Sequence, residues 1–348
     1  MLLQVLPSLS PYDAISQHVL RFKEELDSRG IENKVLADYI APSLSDFAQK
    51  TQTIDTFDGH HILYHMSISS SLAEKVCSSD SFIDVWYHNI TPAELMQEWE
   101  PFVALELRIA RQQLSYVAVR ADRGVAASKY SEKELKMQGC RHTWVMPVLF
   151  NTSLKAKGEP KRIESNETSI LSVGRFAPHK KIEYLIQVLY LYRQYCDESA
   201  TLTLVGSNAS EHYRESLELL IGNLNLNDYV FFKEKISDEE LSKEYSKADV
   251  YLCLSEHEGF CVPLVEAQYA GLPIVASDYA AIKETVGDAG IVLNDNKNMN
   301  EIVAAIDLVK NNQNVRQELI EGAKRNISKI DIDVEAAKAV DWLLEGGE

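Results

Sequence analysis

Short apolar blocks alternate with longer stretches whose apolar residues return at helical spacing, from one end of the chain to the other. That alternation predicts strands and helices in turn, hence a parallel α/β sheet. In the first half, LLQVLPSL, NKVLADYI, HHILYHM, FIDVWYH and VAAS read as strands. AISQHVLRFKEELDSRG reads as a helix, with Ile15, Val19, Phe22 and Leu26 on one face and Gly30 as its stop. SEKELKMQG reads as a helix capped by Ser131, with Glu134 three positions on. A polar segment from Asn151 to Asn166 carries Gly158 and Pro160 and has the composition of a linker. The alternation then restarts with SILSVGR, ATLTLVGS, YVFFKE, DVYLCLS, LPIVAS and AGIVL as strands. IEYLIQVLYLYRQY fills the first gap as a helix, and Ser237 with Glu240 opens another as a capping box. The expectation is two Rossmann-like, doubly wound domains, 1–155 and 156–330, facing across a cleft, with a final helix in 331–348 that could pack across their junction.

Length and composition agree with this. A chain of 348 residues with 45% hydrophobic and 25% charged residues has the balance of a two-domain globular protein. The 5 cysteines are scattered with no CxxC pair, which points to a reducing compartment and away from a disulfide framework or zinc knuckle. The opening MLLQVLPSLSPYD lacks a basic start and meets Pro7 and Pro11, so it reads as a strand rather than a signal peptide. No apolar run approaches the roughly 20 residues of a membrane span. A net charge of −17 argues against nucleic acid as a partner, because the overall field repels phosphate. Residues 107–141 depart from this, with more Arg and Lys than acids. They read as a solvated helical face or as a landing strip for an anionic lipid surface or a phosphorylated acceptor.

In open parallel sheets, ligands bind beyond the carboxyl ends of the strands. The residues just after the strands are therefore the candidates: Asp13, His65, His88 with Asn89, Arg175, Ser207 and the run from Glu256 to Gly259. In VGRFAPHKKIEYLI, Arg175 and Lys180 offer a fork and a compact charge at a strand end, a suitable clamp for a diphosphate. In EHEGFCVPLVEA, Pro263 suits a helix start and Gly271 its end, so Glu266 falls one turn in and Glu258 in the loop before it. Gly259 lets backbone N–H groups approach a ligand. A carboxylate near such a helix start can accept bonds from two ribose hydroxyls. The competing reading makes Glu258 and Glu266 acids favoured by the helix dipole, and Arg175 and Lys180 ordinary surface cations. P-loop, GxGxxG and GxSxG patterns are all absent. His60, His61 and His65 cluster around one strand without an acidic partner at ligand spacing, which is more often structural than metal-binding.

EHEGFCVPLVEA resembles the E-x7-E signature of retaining glycosyltransferases of family 4, which have the two-domain GT-B fold. GRFAPHKKIEYLI is similar to that family's arginine–lysine segment, and YHNITPAEL to the segment that supplies its active-site histidine. The order of these segments is kept along nearly the whole chain. The resemblance implies transfer of a hexose from a nucleotide-diphosphate sugar to a hydroxyl, with retention and without a metal or other cofactor. It implies that Arg175 and Lys180 bind the diphosphate. Glu258, with N–H groups near Gly259, Phe260 and Cys261, would bind the transferred sugar. Glu266 would hold the ribose, and Ile236 and Ser207 would lie along the donor. His88 would stand near the reacting sugar and the acceptor. The acceptor is expected to be a glycan, a lipid-linked sugar or a small molecule, against Tyr12, Asp13, His65, His88 and Asn89. Surface polysaccharide or glycoconjugate synthesis is the expected setting, in the cytoplasm or peripherally at the inner face of the membrane.

Two departures stand out. The family's glycine-rich loop after the first strand is replaced by SLSPYDAIS, which has no glycine, and Lys181 stands where glycine or asparagine is common. The altered first loop leaves open a non-catalytic partner of an active transferase; a nucleotide-sugar epimerase on the same fold is the other alternative.

Overall fold

The computed structural model describes residues 1–11, 13–150 and 167–345. Tyr12 and the linker segment Asn151 to Asn166 lie outside the described residues. Two compact units are present: 1–93 with 102–150 and 330–345, and 94–101 with 167–329.

The first unit runs β1 (Leu2–Leu9), α1 (Ala14–Ser28), β2 (Asn33–Ile40), β3 (Gln49–Lys50), β4 (His61–Met66), α2 (Leu72–Cys77), β5 (Phe82–Tyr87), α3 (Pro101–Arg120), β6 (Arg123–Ala126), α4 (Lys129–Met137) and β7 (Thr143–Val145). Its sheet is parallel in the order β3-β2-β1-β4-β5-β6-β7. The chain winds outward from β1, then returns to the other side of β1 with β4. That reversal is the topological switch point, where neighbouring connections leave opposite faces and open a crevice at the strand ends.

The second unit runs β8 (Ser169–Val173), α5 (Ile182–Tyr195), β9 (Thr201–Val205), α6 (Glu211–Asn223), β10 (Val230–Lys233), α7 (Asp238–Lys247), β11 (Val250–Cys253), α8 (Val262–Tyr269), β12 (Ile274–Ser277), α9 (Ile282–Val286), β13 (Gly290–Leu293), α10 (Met299–Asn311) and α11 (Gln313–Ile327). Its order is β10-β9-β8-β11-β12-β13, again parallel, with the switch point between β8 and β11. The last helix, α12 (Ile332–Glu345), belongs to the first unit.

Local chemistry explains the element ends. α1 buries Val19, Phe22 and Leu26 completely, each contributing about 1.5–3 kcal/mol. α7 carries the expected capping box of Ser237 and Glu240. α4 starts earlier than its sequence suggested: Ser128, not Ser131, is the cap, and its hydroxyl accepts from the Ser131 N–H at 3.1 Å. In the second unit, Leu185 and Leu189 of α5 pack with Leu202 and Leu204 of β9 and with Ile302 and Ile306 of α10 to form one core.

α12 is held by polar bonds as well as by buried Ile332, Ala336, Val340 and Leu343. Arg21 reaches Asp333 at 2.9 Å, and Arg29 reaches Asp341 at 2.6 Å. Arg123 donates two bonds to buried Asp84 at 2.8 and 2.7 Å and a third to the Trp342 carbonyl at 2.8 Å. His61 completes the cluster, 2.7 Å from Asp84.

Candidate functional site

Sheet order brings the loops after β8 and β11 side by side in the second unit. β8 is followed by Gly174, whose φ of 150° is open to glycine. A Cβ on Gly206, at the end of β9, would lie 1.9 Å from the Gly174 carbonyl oxygen, so only glycine fits there too. The two close passes turn the chain sharply beside a shallow hollow lined by Arg175, Lys180, Tyr251, Cys253, Glu258 and Cys261 among others. The strand-end cations and the loop acid singled out in the sequence therefore meet at one place.

Lys180 and Glu258 are bound to each other, Nζ to Oε1, at 2.5 Å. Burial alone would lower the Lys180 pKa, but the adjacent Glu258 carboxylate outweighs it and the net direction is up. Lys180 is thus a fixed cation. The Arg175 side chain is exposed and has no ion-pair partner among the described residues. Lys181 holds φ 52°, the left-handed conformation that favours glycine or asparagine. Its ammonium meets Glu256 at 3.2 Å. Glu256 is half-buried for this reason.

Glu266 does not line that hollow. It stands one turn into α8, and its Oε2 accepts from the Tyr245 hydroxyl at 2.7 Å. Burial raises its pKa to about 7, against the lowering effect of the Tyr245 bond. Ser207 and Ile236 are also outside the hollow: the Ser207 carbonyl accepts from the Phe176 N–H at 2.8 Å, and Ile236 packs on the core under α8. Gly259 follows Glu258, and the Phe260 carbonyl accepts from the Thr285 hydroxyl at 2.6 Å, fixing the loop. Cys261 caps α8 with φ 69° and a buried thiol beside that of Cys253. His257, within the strand-end run noted in the sequence, and His179, which was not singled out there, flank the cations. Burial and the neighbouring Lys180 push His179 well down, so its ring is neutral.

In the first unit, the switch point gathers His18 of α1, His65 of β4 and His88 after β5. This is a different trio from the one the sequence suggested: His61 is drawn to Asp84, while His18 enters from the apolar face of α1, two facts hidden in a linear reading. Gln4 Oε1 lies 3.2 Å from His65 Nε2, and His65 Nδ1 lies 3.1 Å from His88 Nε2. With Gln4 as acceptor, this chain of bonds leaves His88 Nδ1 as a bare lone pair. The His88 ring stacks over Trp86, with planes 9° apart. Burial pushes His88 down to about 3, and His18 and His65 well below their ordinary range, so all three are neutral. The trio does not fit a metal. His18 Nδ1 accepts from the Leu149 N–H at 3.0 Å, which places the proton on Nε2, the nitrogen a metal would need.

Two residues expected on the acceptor side have structural work. Asp13 caps α1, accepting from the Ser16 N–H at 2.9 Å and its hydroxyl at 2.8 Å. Asn89, at φ 74°, is buried and donates to the Ser131 hydroxyl at 2.9 Å.

Both units are parallel-sheet α/β domains that match GT-B glycosyltransferases. Sucrose-phosphate synthase from Thermosynechococcus elongatus superposes with a TM-score of 0.78 over 99% of this chain and 98% of its own, at 18% identity. Anabaena HepE in complex with UDP-glucose gives 0.72 over 99% and 100%, at 19% identity. Residues 155–326 match the family model of glycosyl transferases group 1. Among curated proteins, the chain is 28% identical to an uncharacterized glycosyltransferase of Haemophilus influenzae, over 64% of this chain. It is 30% identical to the MMP alpha-(1->4)-mannosyltransferase of Mycolicibacterium hassiacum over 56%, and 26% identical to the O-antigen chain mannosyltransferase RfbU of Salmonella typhimurium over 57%. The matched stretches span 62%, 44% and 52% of those proteins' lengths.

Proposed function

We propose that this chain is a retaining, metal-independent hexosyltransferase of family 4, using a nucleotide-diphosphate sugar and a hydroxyl acceptor on a glycan, a lipid-linked sugar or a small molecule. The observation that carries the reading is the meeting of Arg175, Lys180 and Glu258 at the β8–β11 switch point, with Glu266 one helical turn behind. Arg175 and Lys180 hold the diphosphate, and the start of α5 adds its dipole. Glu258 accepts bonds from hydroxyls of the transferred sugar, and Glu266 from the ribose. The anomeric C–O bond to the phosphate breaks as the acceptor oxygen bonds the same face. The acceptor proton passes to the departing phosphate oxygen, whose charge Arg175 and Lys180 stabilise. His88, neutral and with Nδ1 bare, orients a hydroxyl. Relatives named as mannosyltransferases, and solved neighbours holding UDP or UDP-glucose, support a nucleotide sugar as donor.

A peripheral membrane contact through α3 belongs to the same proposal. No helix among the described residues is long and apolar enough to cross a membrane. α3, however, exposes Phe102, Leu105, Ile109, Tyr116 and Val119 along one side, with Phe102 83% and Val119 70% exposed. Arg111, Arg120 and Arg123 are engaged by Glu134, carbonyls and Asp84, and Arg108, Lys133 and Arg141 are among the exposed cations nearby.

The test of the transfer reading is a thermal-shift screen of nucleotide sugars, then product analysis with the best donor. Binding of the donor alone raises the unfolding temperature by mass action. Arg175→Ala and Glu258→Gln should each abolish transfer while keeping the circular dichroism of the parent. Near-parental turnover in either variant sinks the assignment, and an epimerised donor without released nucleotide would identify a different reaction.

A further inference from the structure

Cys253 closes β11 and Cys261 caps α8, and the fold returns the second thiol to the first across the loop that carries Glu258. The two sulfur atoms and a Glu258 carboxylate oxygen all lie within 4.8 Å of one another. We propose that Cys253, Cys261 and Glu258 form a binding site for one thiophilic divalent cation, represented by zinc, and that its occupancy closes the donor site.

The chemistry of the set fits. Zinc takes thiolate sulfur at about 2.3 Å and carboxylate oxygen at about 2.0–2.2 Å, so a tetrahedral centre needs its ligand atoms roughly 3.3–3.8 Å apart. The present spacing reaches that with shifts of side-chain size. Three protein ligands leave a fourth position for water, as in open zinc sites. Two thiols lose their protons to solvent as the two Zn–S bonds form, so the dication meets two thiolates and one carboxylate. The Lys180 ammonium, 2.5 Å from Glu258, brings the sum to zero and removes the main cost of burying the centre. The left-handed backbone at Cys261 matters because it bends the chain into α8 and points the thiol back at Cys253. Hard cations such as magnesium are excluded by the sulfur donors. Closure follows because Glu258 cannot ligate a metal and bind sugar hydroxyls together. That part alone rests on the donor reading above; cation binding does not.

The experiment uses the full chain, reduced with a phosphine and stripped of metal. Zinc added to the parent should bind with one equivalent and release protons. Cobalt in its place should give a thiolate charge-transfer band. Loss of even an outer partner of a metal ligand weakens affinity about 10–100-fold. Cys253→Ser and Cys261→Gly should each weaken zinc by at least that much and abolish the band; glycine suits the backbone at 261. Cys196→Ser, at an exposed thiol, should change neither. Uptake and band unchanged in Cys253→Ser, or no uptake by the parent, overturns the site. A final titration with the best nucleotide sugar should show zinc and donor competing. Simultaneous binding overturns the closure and leaves the cation site standing.

Discussion

At Glu266 burial and a single hydroxyl decide the protonation state. Its pKa of about 7 stands above the ordinary carboxyl value near 4.3. Because the folded value is the higher, ionisation is resisted in the fold, and this residue's contribution to stability falls as pH rises from about 4 to about 7. Ribose hydroxyls donating to the carboxylate would favour its ionised form. Nucleotide binding near pH 6.5 should therefore release a proton in the parent and none in Glu266→Gln, read by calorimetry in buffers of different ionisation enthalpy. The histidines of the first unit run the other way. With His18, His65 and His88 all depressed, their contribution is present above the unfolded value of about 6.5 and is lost as pH falls below it. Their imidazole NMR signals should not titrate between pH 8 and about 5; a midpoint near 6.5 for His88 would refute the buried neutral trio.

Elements set how closely the strand ends can come together. Gly206 passes against the Gly174 carbonyl, so a methyl there must push β8 and β9 apart. Gly206→Ala should cost about 1–3 kcal/mol, the range for overpacked sites, and should weaken nucleotide binding, since Arg175 follows that carbonyl. Urea unfolding and donor titration read the two effects separately. α3 makes the element-scale case for lipid. Vesicles with anionic lipid should sediment the parent more than Phe102→Asp with Val119→Asp, and neutral vesicles should sediment both poorly. Equal sedimentation of parent and variant would remove α3 as the contact.

At the scale of the molecule, the last helix, α12, is built into the first unit. Arg123 ties Asp84 of β5 to the carbonyls of α12, although 219 positions separate Arg123 from Trp342. Arg123→Met leaves Asp84 buried with only His61 beside it. Removing one member of a buried pair costs about 3–5 kcal/mol, so the urea midpoint should fall accordingly. A shift under about 1 kcal/mol would mean that the cluster is fully hydrated in solution.

Several features were legible in the chain itself. The elements followed from local periodicity, because burial on one or both faces writes itself into spacing that a linear reading detects. Pro263 and Gly271 framed α8, and Ser237 with Glu240 opened α7, since caps are satisfied within a few residues. Arg175, Lys180 and Glu258 were visible because strand ends are visible, and Glu266 because Pro263 and Gly271 frame its helix. What lay beyond reach was which ends are neighbours. Strands buried on both faces look alike in sequence, so only the assembled sheets placed β8 beside β11 and β1 beside β4. That non-local choice bound Lys180 to Glu258, while packing around β11 put Tyr245 on Glu266 and set Cys253 against Cys261. It also assembled His18, His65 and His88 in place of the adjacent His60, His61 and His65. Sequence by itself determined the kinds of residue available and the elements that carry them. Tertiary structure decided their partners, because hydrogen bonds, ion pairs and desolvation act through space between groups that the chain keeps far apart.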